Sequence, residues 1–269
     1  CDQYGLYVVA AANVESHGMG YGPETLAKNP AFDVAHLQRN QRNVQRGYNH
    51  PSVITWSLGN EAGFGPNFEA CYTWIKKEDK SRPVQFEQAR TNDFTDIYCP
   101  MYLGYEASEK YVQGSVSKPL IQCEYAHAMG NSMGGFKEYW DLTRKYPHYQ
   151  GGFIWDFVDQ ALRKYNDKGV EFYAYGGDFN AYDASDNNFN NNGIIGPDRQ
   201  YNPHANEVRY YYQNIWAEAV DLSEGTISVF NENFFRDLSS FILEWSVVEN
   251  GKTTQTGIID NLNVAPQQK

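Results

Sequence analysis

The sequence predicts an α/β protein with a parallel sheet covered by helices, followed by a short all-β segment. Three observations predict it. Short apolar runs alternate with amphipathic ones at spacings of roughly 30–45 residues, the pattern of repeated βα units. Those apolar runs end repeatedly in acidic or amide residues. From about residue 207 onward the helical texture gives way to strand-like runs and a hairpin signal.

The elements follow in order. Residues 6–12 read as a strand, followed by Asn13-Val14-Glu15-Ser16-His17-Gly18. A helix is predicted over 30–46 and is stopped by Asn49-His50-Pro51. Residues 52–58 form a β-rich run that ends in Gly59-Asn60-Glu61, and 67–77 are helical again. Short strands are predicted at 83–87, at 96–102 and at 119–124, the last followed by Tyr125-Ala126-His127. A helix at 134–146 and a strand at 152–160 complete the set. Both a parallel barrel and a doubly wound sheet place their chemistry beyond the carboxyl ends of the strands. No GxGxxG loop or P-loop is present, so no nucleotide is expected.

Residues 162–205 are rich in Asn, Asp, Gly and Tyr. They keep their aromatics, which disordered segments tend to lack, and are expected to form a structured loop over the strand ends. Strands are predicted at 226–230 and 241–248, with a hairpin turn at Glu249-Asn250-Gly251-Lys252. About 60 residues fall short of the roughly 100 that a complete sandwich needs, so 207–269 is expected to be a partial β-sandwich domain. The first domain is expected to be 1–206.

Bulk composition narrows the function. The 269 residues carry a net charge of −11, which argues against a nucleic-acid partner, since neutralising phosphates needs a surplus of Lys and Arg. A neutral substrate is the simplest fit. Aromatic residues make up 16%, a load that serves core packing or stacking against the apolar face of a sugar. Cys1, Cys71, Cys99 and Cys123 form neither a CxxC pair nor a zinc pattern and are expected to be free thiols. No apolar run is long enough to span a membrane, so no membrane partner is expected. The opening Cys1-Asp2-Gln3-Tyr4-Gly5 leads straight into an apolar strand, and the chain is expected to be part of something longer.

Three segments could carry chemistry. Trp56-Ser57-Leu58-Gly59-Asn60-Glu61 delivers a carboxylate and a neighbouring amide at the end of an apolar strand. A general acid needs such a carboxyl, although a Glu starting the next helix would look the same. Cys123-Glu124-Tyr125-Ala126-His127 delivers a second carboxylate in the same way. Two glutamates on different strands can face each other, as glycoside hydrolysis requires. In Glu15-Ser16-His17, extended alternation would put Glu15 and His17 on one side, about 7 Å apart along the chain. That pair either holds a divalent cation, magnesium or manganese in preference to zinc, or is a metal-free hydrogen-bonded pair.

With these segments in hand, the chain resembles the large β-galactosidases of glycoside hydrolase family 2. The matching stretches are Asn13–Met19, Arg46–Glu61, Cys99-Pro100-Met101-Tyr102, Cys123–Ser132, Gly151-Gly152-Phe153-Ile154-Trp155-Asp156, Tyr175-Gly176-Gly177-Asp178-Phe179 and Phe189–Gly193. The resemblance implies a (β/α)8 TIM-barrel fold lacking its first two strands, followed by a partial Ig-like β-sandwich. It also implies Glu61 as acid/base, Glu124 as nucleophile and Tyr102 as an aid to the nucleophile. Asn60, His127, Trp155 and Asn192 would line the galactose site. Glu15, His17 and Glu61 would ligate Mg2+, and the Phe189 carbonyl with Asn192 would contribute to a Na+ site. Further implications are a β-galactoside substrate and a homo-oligomeric parent protein.

The sequence departs from the family where Ala10 and Ala11 stand in place of common acidic residues, and the sodium site's aspartate would lie before Cys1. Two other readings stand beside this one. A carbohydrate-binding or assembly fragment would keep the aromatics without turnover, and intact Glu61 and Glu124 argue against it. A β-glucuronidase would need a cationic or amide handle for a carboxylate, and no Lys/Arg-rich motif lies near the two glutamates.

Overall fold

Val8–Ala11 and Val53–Ser57 are runs of small, β-branched and aromatic residues, and they form parallel neighbouring strands β1 and β2 in the computed structural model, which describes all residues 1–269. Their register sets Val9 opposite Thr55, Ala10 opposite Trp56 and Ala11 opposite Ser57. On its other side β2 pairs in parallel with β3 (Val84–Gln85). A second parallel pair joins β4 (Leu120–Tyr125) to β5 (Tyr149–Ile154).

Residues 96–102 lie between these two sheets. They make parallel bridges to both: Ile97 to Gln85, Tyr98 to Leu120 and Met101 to Glu124. The strand expected there is therefore irregular, for two local reasons. Pro100 has no N–H for a ladder, and Tyr102 turns to φ 51. Strand direction and neighbour order nevertheless run unbroken from β1 through β5.

Helices cover this sheet. α1 (Asp33–Gly47) buries His36, Asn40, Val44 and Gly47, one face at spacings of four, four and three. Two of these are polar, and both are bonded: His36 Nδ1 lies 2.8 Å from the Phe32 carbonyl, and Asn40 Nδ2 donates to His36 O and to Leu58 O. α2 (Pro66–Glu78) opens with Pro at its first turn and closes on Lys76 and Lys77, as the helix dipole favours. Its Phe68 stacks on Phe86 with ring centroids 4.1 Å apart. α3 (Tyr105–Gln113) buries only Ser108 and Val112, a stripe too short to stand out in the sequence. α4 (Phe136–Lys145) packs through Leu142 into a cluster with Val112, Leu120 and Tyr149.

Two expectations are adjusted. The last predicted strand, 152–160, begins earlier, because buried Tyr149 anchors the start of β5. The chain beyond Ile154 pairs by a single parallel bridge, Val158 to Ile195. Within 162–205, β6 (Leu162–Tyr165) and β7 (Glu171–Ala174) form an antiparallel hairpin. Asn166 closes its turn, accepting from the amides of Lys168 and Val170.

The residues divide into two compact units, Cys1–Ala205 and Asn206–Lys269. After α5 (Ala205–Tyr211), the second unit contains two antiparallel pairs, β8 (Ile215–Asp221) with β9 (Thr226–Asn231) and β10 (Leu243–Glu249) with β11 (Lys252–Ile259). Asn250 and Gly251 link β10 to β11 at φ 50 and 78, the left-handed turn anticipated for Asn-Gly. All four cysteines are free thiols. No helix is long and apolar enough to cross a membrane.

The core under β2 is tied by one polar knot. Fully buried Trp56 donates its indole N–H to Asp79 Oδ2 at 2.9 Å, and Arg82 Nη1 donates to the same oxygen at 2.9 Å. Burial alone would raise the Asp79 carboxyl, but the hydrogen bonds from Ser81, Arg82 and Trp56 hold it well below the usual carboxylate range. A depressed folded-state pKa gives stability that is complete above the unfolded value, near pH 4, and is lost as pH falls through the folded value. Asp79→Asn is therefore expected to cost about 2–4 kcal/mol at pH 7 and to flatten the acid limb of stability. Urea unfolding from pH 7 down to pH 3 measures both effects.

Candidate active site

Parallel strands all present the same end, and here that end is carboxylate-rich. Glu15 follows β1, Glu61 follows β2, Glu87 follows β3 and Glu124 lies at the end of β4. Glu15 and Asn60 form a parallel bridge that extends the β1–β2 pairing past both strands. Asn60 Nδ2 donates to Glu15 Oε2 at 2.7 Å. The turn into the site needs Gly59: it adopts φ 149, and a Cβ there would meet the Val14 carbonyl oxygen at 2.7 Å.

Glu61 is held at backbone and side chain. Its φ of 38 is unusual for a residue with a side chain. Its amide donates to Glu87 Oε1 at 2.8 Å, and His17 Nδ1 lies 3.3 Å from its Oε2. His17 stacks on Tyr21 at 5.7 Å, and Tyr21 lies within the field of Glu61. Partial burial, followed by the Glu61 charge, pushes Tyr21 up to about 12. His17 begins a 3-10 turn, so it reaches Glu61 by a bend after Glu15 rather than by extended alternation.

Glu124 is fixed from the next strand end. The Tyr102 hydroxyl donates to Glu124 Oε2 at 2.6 Å, and the Tyr102 amide donates to the Glu124 carbonyl at 2.8 Å. Burial raises the Glu124 carboxyl, the Tyr102 bond pulls it down, and the charges of Glu61 and Glu15 push it up. Glu61 and Glu124 therefore sit within each other's field. The Tyr102 ring meets His127 edge-on at 5.7 Å, and His127 lies 5.6 Å from Phe189. The Ala128 amide donates to the Trp155 carbonyl, tying the His127 loop to the end of β5.

Asn192 is 2% exposed and donates through Nδ2 to the Phe189 carbonyl, while its Oδ1 is buried without a partner. Its segment is clamped to the chain just beyond β5, with Asp156 N donating to Asn192 O and Ile194 N to Asp156 O. The structure thus brings every residue singled out in the sequence to one end of the sheet. It adds two that sequence reasoning missed, Glu87 and Tyr21. Glu87 carried the same signal as Glu61 and Glu124, a glutamate closing an apolar strand. Tyr21 lies in a Gly-rich turn with no such signal.

Donor groups for the two expected ions lie at this end of the sheet. No three acidic, His or Cys side chains are gathered into one ligand cluster. Glu15, Glu61 and Glu87 nevertheless stand close enough for the charges of Glu61 and Glu15 to help push Glu87 up, after burial, to about 7. An oxygen-rich set with one imidazole and surplus negative charge fits magnesium, which keeps several waters of its own. At the second position, the Phe189 carbonyl and the unpartnered Asn192 Oδ1 supply oxygen donors of the kind a monovalent cation takes, as two members of a larger set.

Polar and acidic side chains gathered at the carboxyl ends of parallel strands are the arrangement of a TIM-barrel site, and similarity to known proteins gives the family. The model of glycosyl hydrolases family 2, TIM barrel domain, matches residues 1–217, and that of β-galactosidase, domain 4, matches 227–269. The chain belongs to glycosyl hydrolase family 2, with a TIM-barrel domain. It is 44% identical to a β-galactosidase of Alteromonas mediterranea over 285 aligned residues, covering 100% of this chain and 27% of that protein. It is 45% identical to a β-galactosidase of Vibrio vulnificus, covering 96% of this chain and 26% of the relative. The chain therefore spans about a quarter of the length of these relatives. A crystal structure of Ruminococcus gnavus β-glucuronidase shares the fold at TM-score 0.53 and 18% identity, over 79% of this chain and 41% of that one.

Removing the Tyr102 hydroxyl leaves burial and the Glu61 charge unopposed at Glu124. Tyr102→Phe is expected to move the Glu124 carboxyl further up, and 13C NMR titration of carboxyl-labelled glutamate reads the direction. An unchanged or lower value would contradict the electrostatic account.

Proposed function

We propose that the intact protein is a retaining β-galactosidase in which Glu61 is the acid/base and Glu124 the nucleophile. The observation that carries this reading is the convergence of these two glutamates, from the ends of β2 and β4, into each other's field, with Tyr102 bonded to Glu124 at 2.6 Å. The name β-galactosidase carried by relatives at 44–45% identity supports galactose as the sugar.

Protonated Glu61 gives its proton to the leaving glycosidic oxygen as that bond breaks. The Glu124 carboxylate attacks the anomeric carbon and forms a covalent glycosyl-enzyme. Glu61, now ionised, takes a proton from water, which displaces Glu124 and releases galactose with its configuration retained. Tyr102 aligns the attacking oxygen through its hydrogen bond. Asn60 is placed to meet the sugar's 2-hydroxyl, and His127 and Trp155 form the wall of the pocket.

Glu15, His17 and Glu61 would hold a magnesium ion, which supplies fixed positive charge among the carboxylates. The Phe189 carbonyl and Asn192 would contribute to a sodium site. The outer edge of β1 has no partner strand, and two preceding strands of a complete (β/α)8 barrel would fill it. Residues 207–269 would be the start of an Ig-like sandwich.

Trapping the intact protein with a 2-deoxy-2-fluoro-galactoside and mapping the labelled peptide tests the assignment. The label is expected on Glu124, and Glu124→Gln is expected to lower kcat at least about 1,000-fold. A label on any other residue, or preference for a glucuronide over the matching galactoside, overturns the reading.

A further inference from the structure

We propose that Glu87 is a positioning residue that holds Glu61 in its acid/base orientation by accepting the Glu61 backbone N–H. This rests on the reading of Glu61 as the acid/base.

Glu87 is 8% exposed, two residues beyond β3. Burying a carboxylate is costly unless it is paired. Among the charges acting on Glu87 are those of Glu61 and Glu15, both of its own sign. A leucine would fill the same volume without that cost, so packing does not explain the residue. Its bond does: Oε1 accepts from Glu61 N at 2.8 Å.

That amide belongs to a strained residue. Glu61 sits at φ 38, where a side chain crowds its own backbone. Strain of this kind persists only where surroundings over-determine the conformation. Three contacts do so here. The Asn60 amide is bonded to Val14 O, the Asn60 side chain to Glu15, and the Glu61 amide to Glu87. Only the last acts on the backbone of Glu61; His17 meets its side chain. Without it the part-buried N–H loses its partner, and the peptide between residues 60 and 61 is free to rotate toward an unstrained φ. That rotation swings the Glu61 carboxyl away from the leaving oxygen.

Loss of acid placement has a signature that general damage lacks, because substrates differ in their need for a proton. In the intact protein, Glu87→Leu is expected to lower kcat/KM for an alkyl β-galactoside about 100-fold or more. The value for 2,4-dinitrophenyl β-galactoside, whose leaving group needs no proton, is expected to stay within about 5-fold. Azide, which needs no general base, should restore kcat on the dinitrophenyl substrate by forming galactosyl azide. Glu87→Gln keeps the acceptor oxygen and should recover the alkyl galactoside rate to within about 5-fold of the unsubstituted protein.

If Glu87→Leu gives no cooperative thermal transition, Glu87→Asp carries the test, since it withdraws the acceptor by one methylene and should show the same substrate split. Equal losses on both substrates, or no loss on the alkyl galactoside, overturn the proposal. So does failure of Glu87→Gln to recover that rate. An unsubstituted protein that turns over neither galactoside would instead sink the glycosidase reading itself.

Discussion

The parallel register between β1 and β2, carried past both strands by the Glu15–Asn60 bridge, is the constraint on which the site depends. It sets Glu15 beside Asn60 and lets the Asn60 amide bond to Val14, so the turn that presents Glu61 starts from a fixed point. A slip of one residue would turn these side chains to the other face of the sheet. The same strand direction, relayed through 96–102, brings Tyr102 and Glu124 to that end.

Converging strand ends create an electrostatic problem that the site answers with donors. Four glutamates share a small region, and burial with mutual repulsion raises Glu87 and Glu124. Tyr102 relieves Glu124, Asn60 relieves Glu15, and a backbone amide relieves Glu87. These partners are neutral and pre-placed, so they orient each carboxylate without cancelling its charge. That arrangement suits chemistry in which a carboxylate must meet positive charge developing at an anomeric carbon. It also gives the cluster a use for a bound cation.

Much of this could be read from sequence, and the limits have physical causes. Glu61 and Glu124 were legible because an apolar strand has no packing reason to end in a glutamate. Glu87 ended a strand in the same way, but its role lies in a contact with the backbone of residue 61, and side-chain patterns do not report that. His17 was placed on the side of Glu15, yet it arrives through a 3-10 turn whose geometry comes from the adjoining glycines. The irregularity at 96–102 follows from Pro100, visible in the sequence, and from the left-handed turn at Tyr102, which only the fold imposes. The β6–β7 hairpin was hidden because each strand is only four residues long, too short for an apolar alternation to mark it.

Asn40 gives the architecture a further property. It sits in the buried face of α1, yet its side chain bonds the Leu58 carbonyl, three residues before Glu61. The far side of the sheet thus holds a lever on the angle at which the glutamate emerges. On the proposed reading, variation along this helix would reach the acid/base through Leu58 while leaving Glu61 and Glu124 themselves unchanged. Selection on such a protein can adjust rate and preference from behind, leaving the residues that face substrate unchanged.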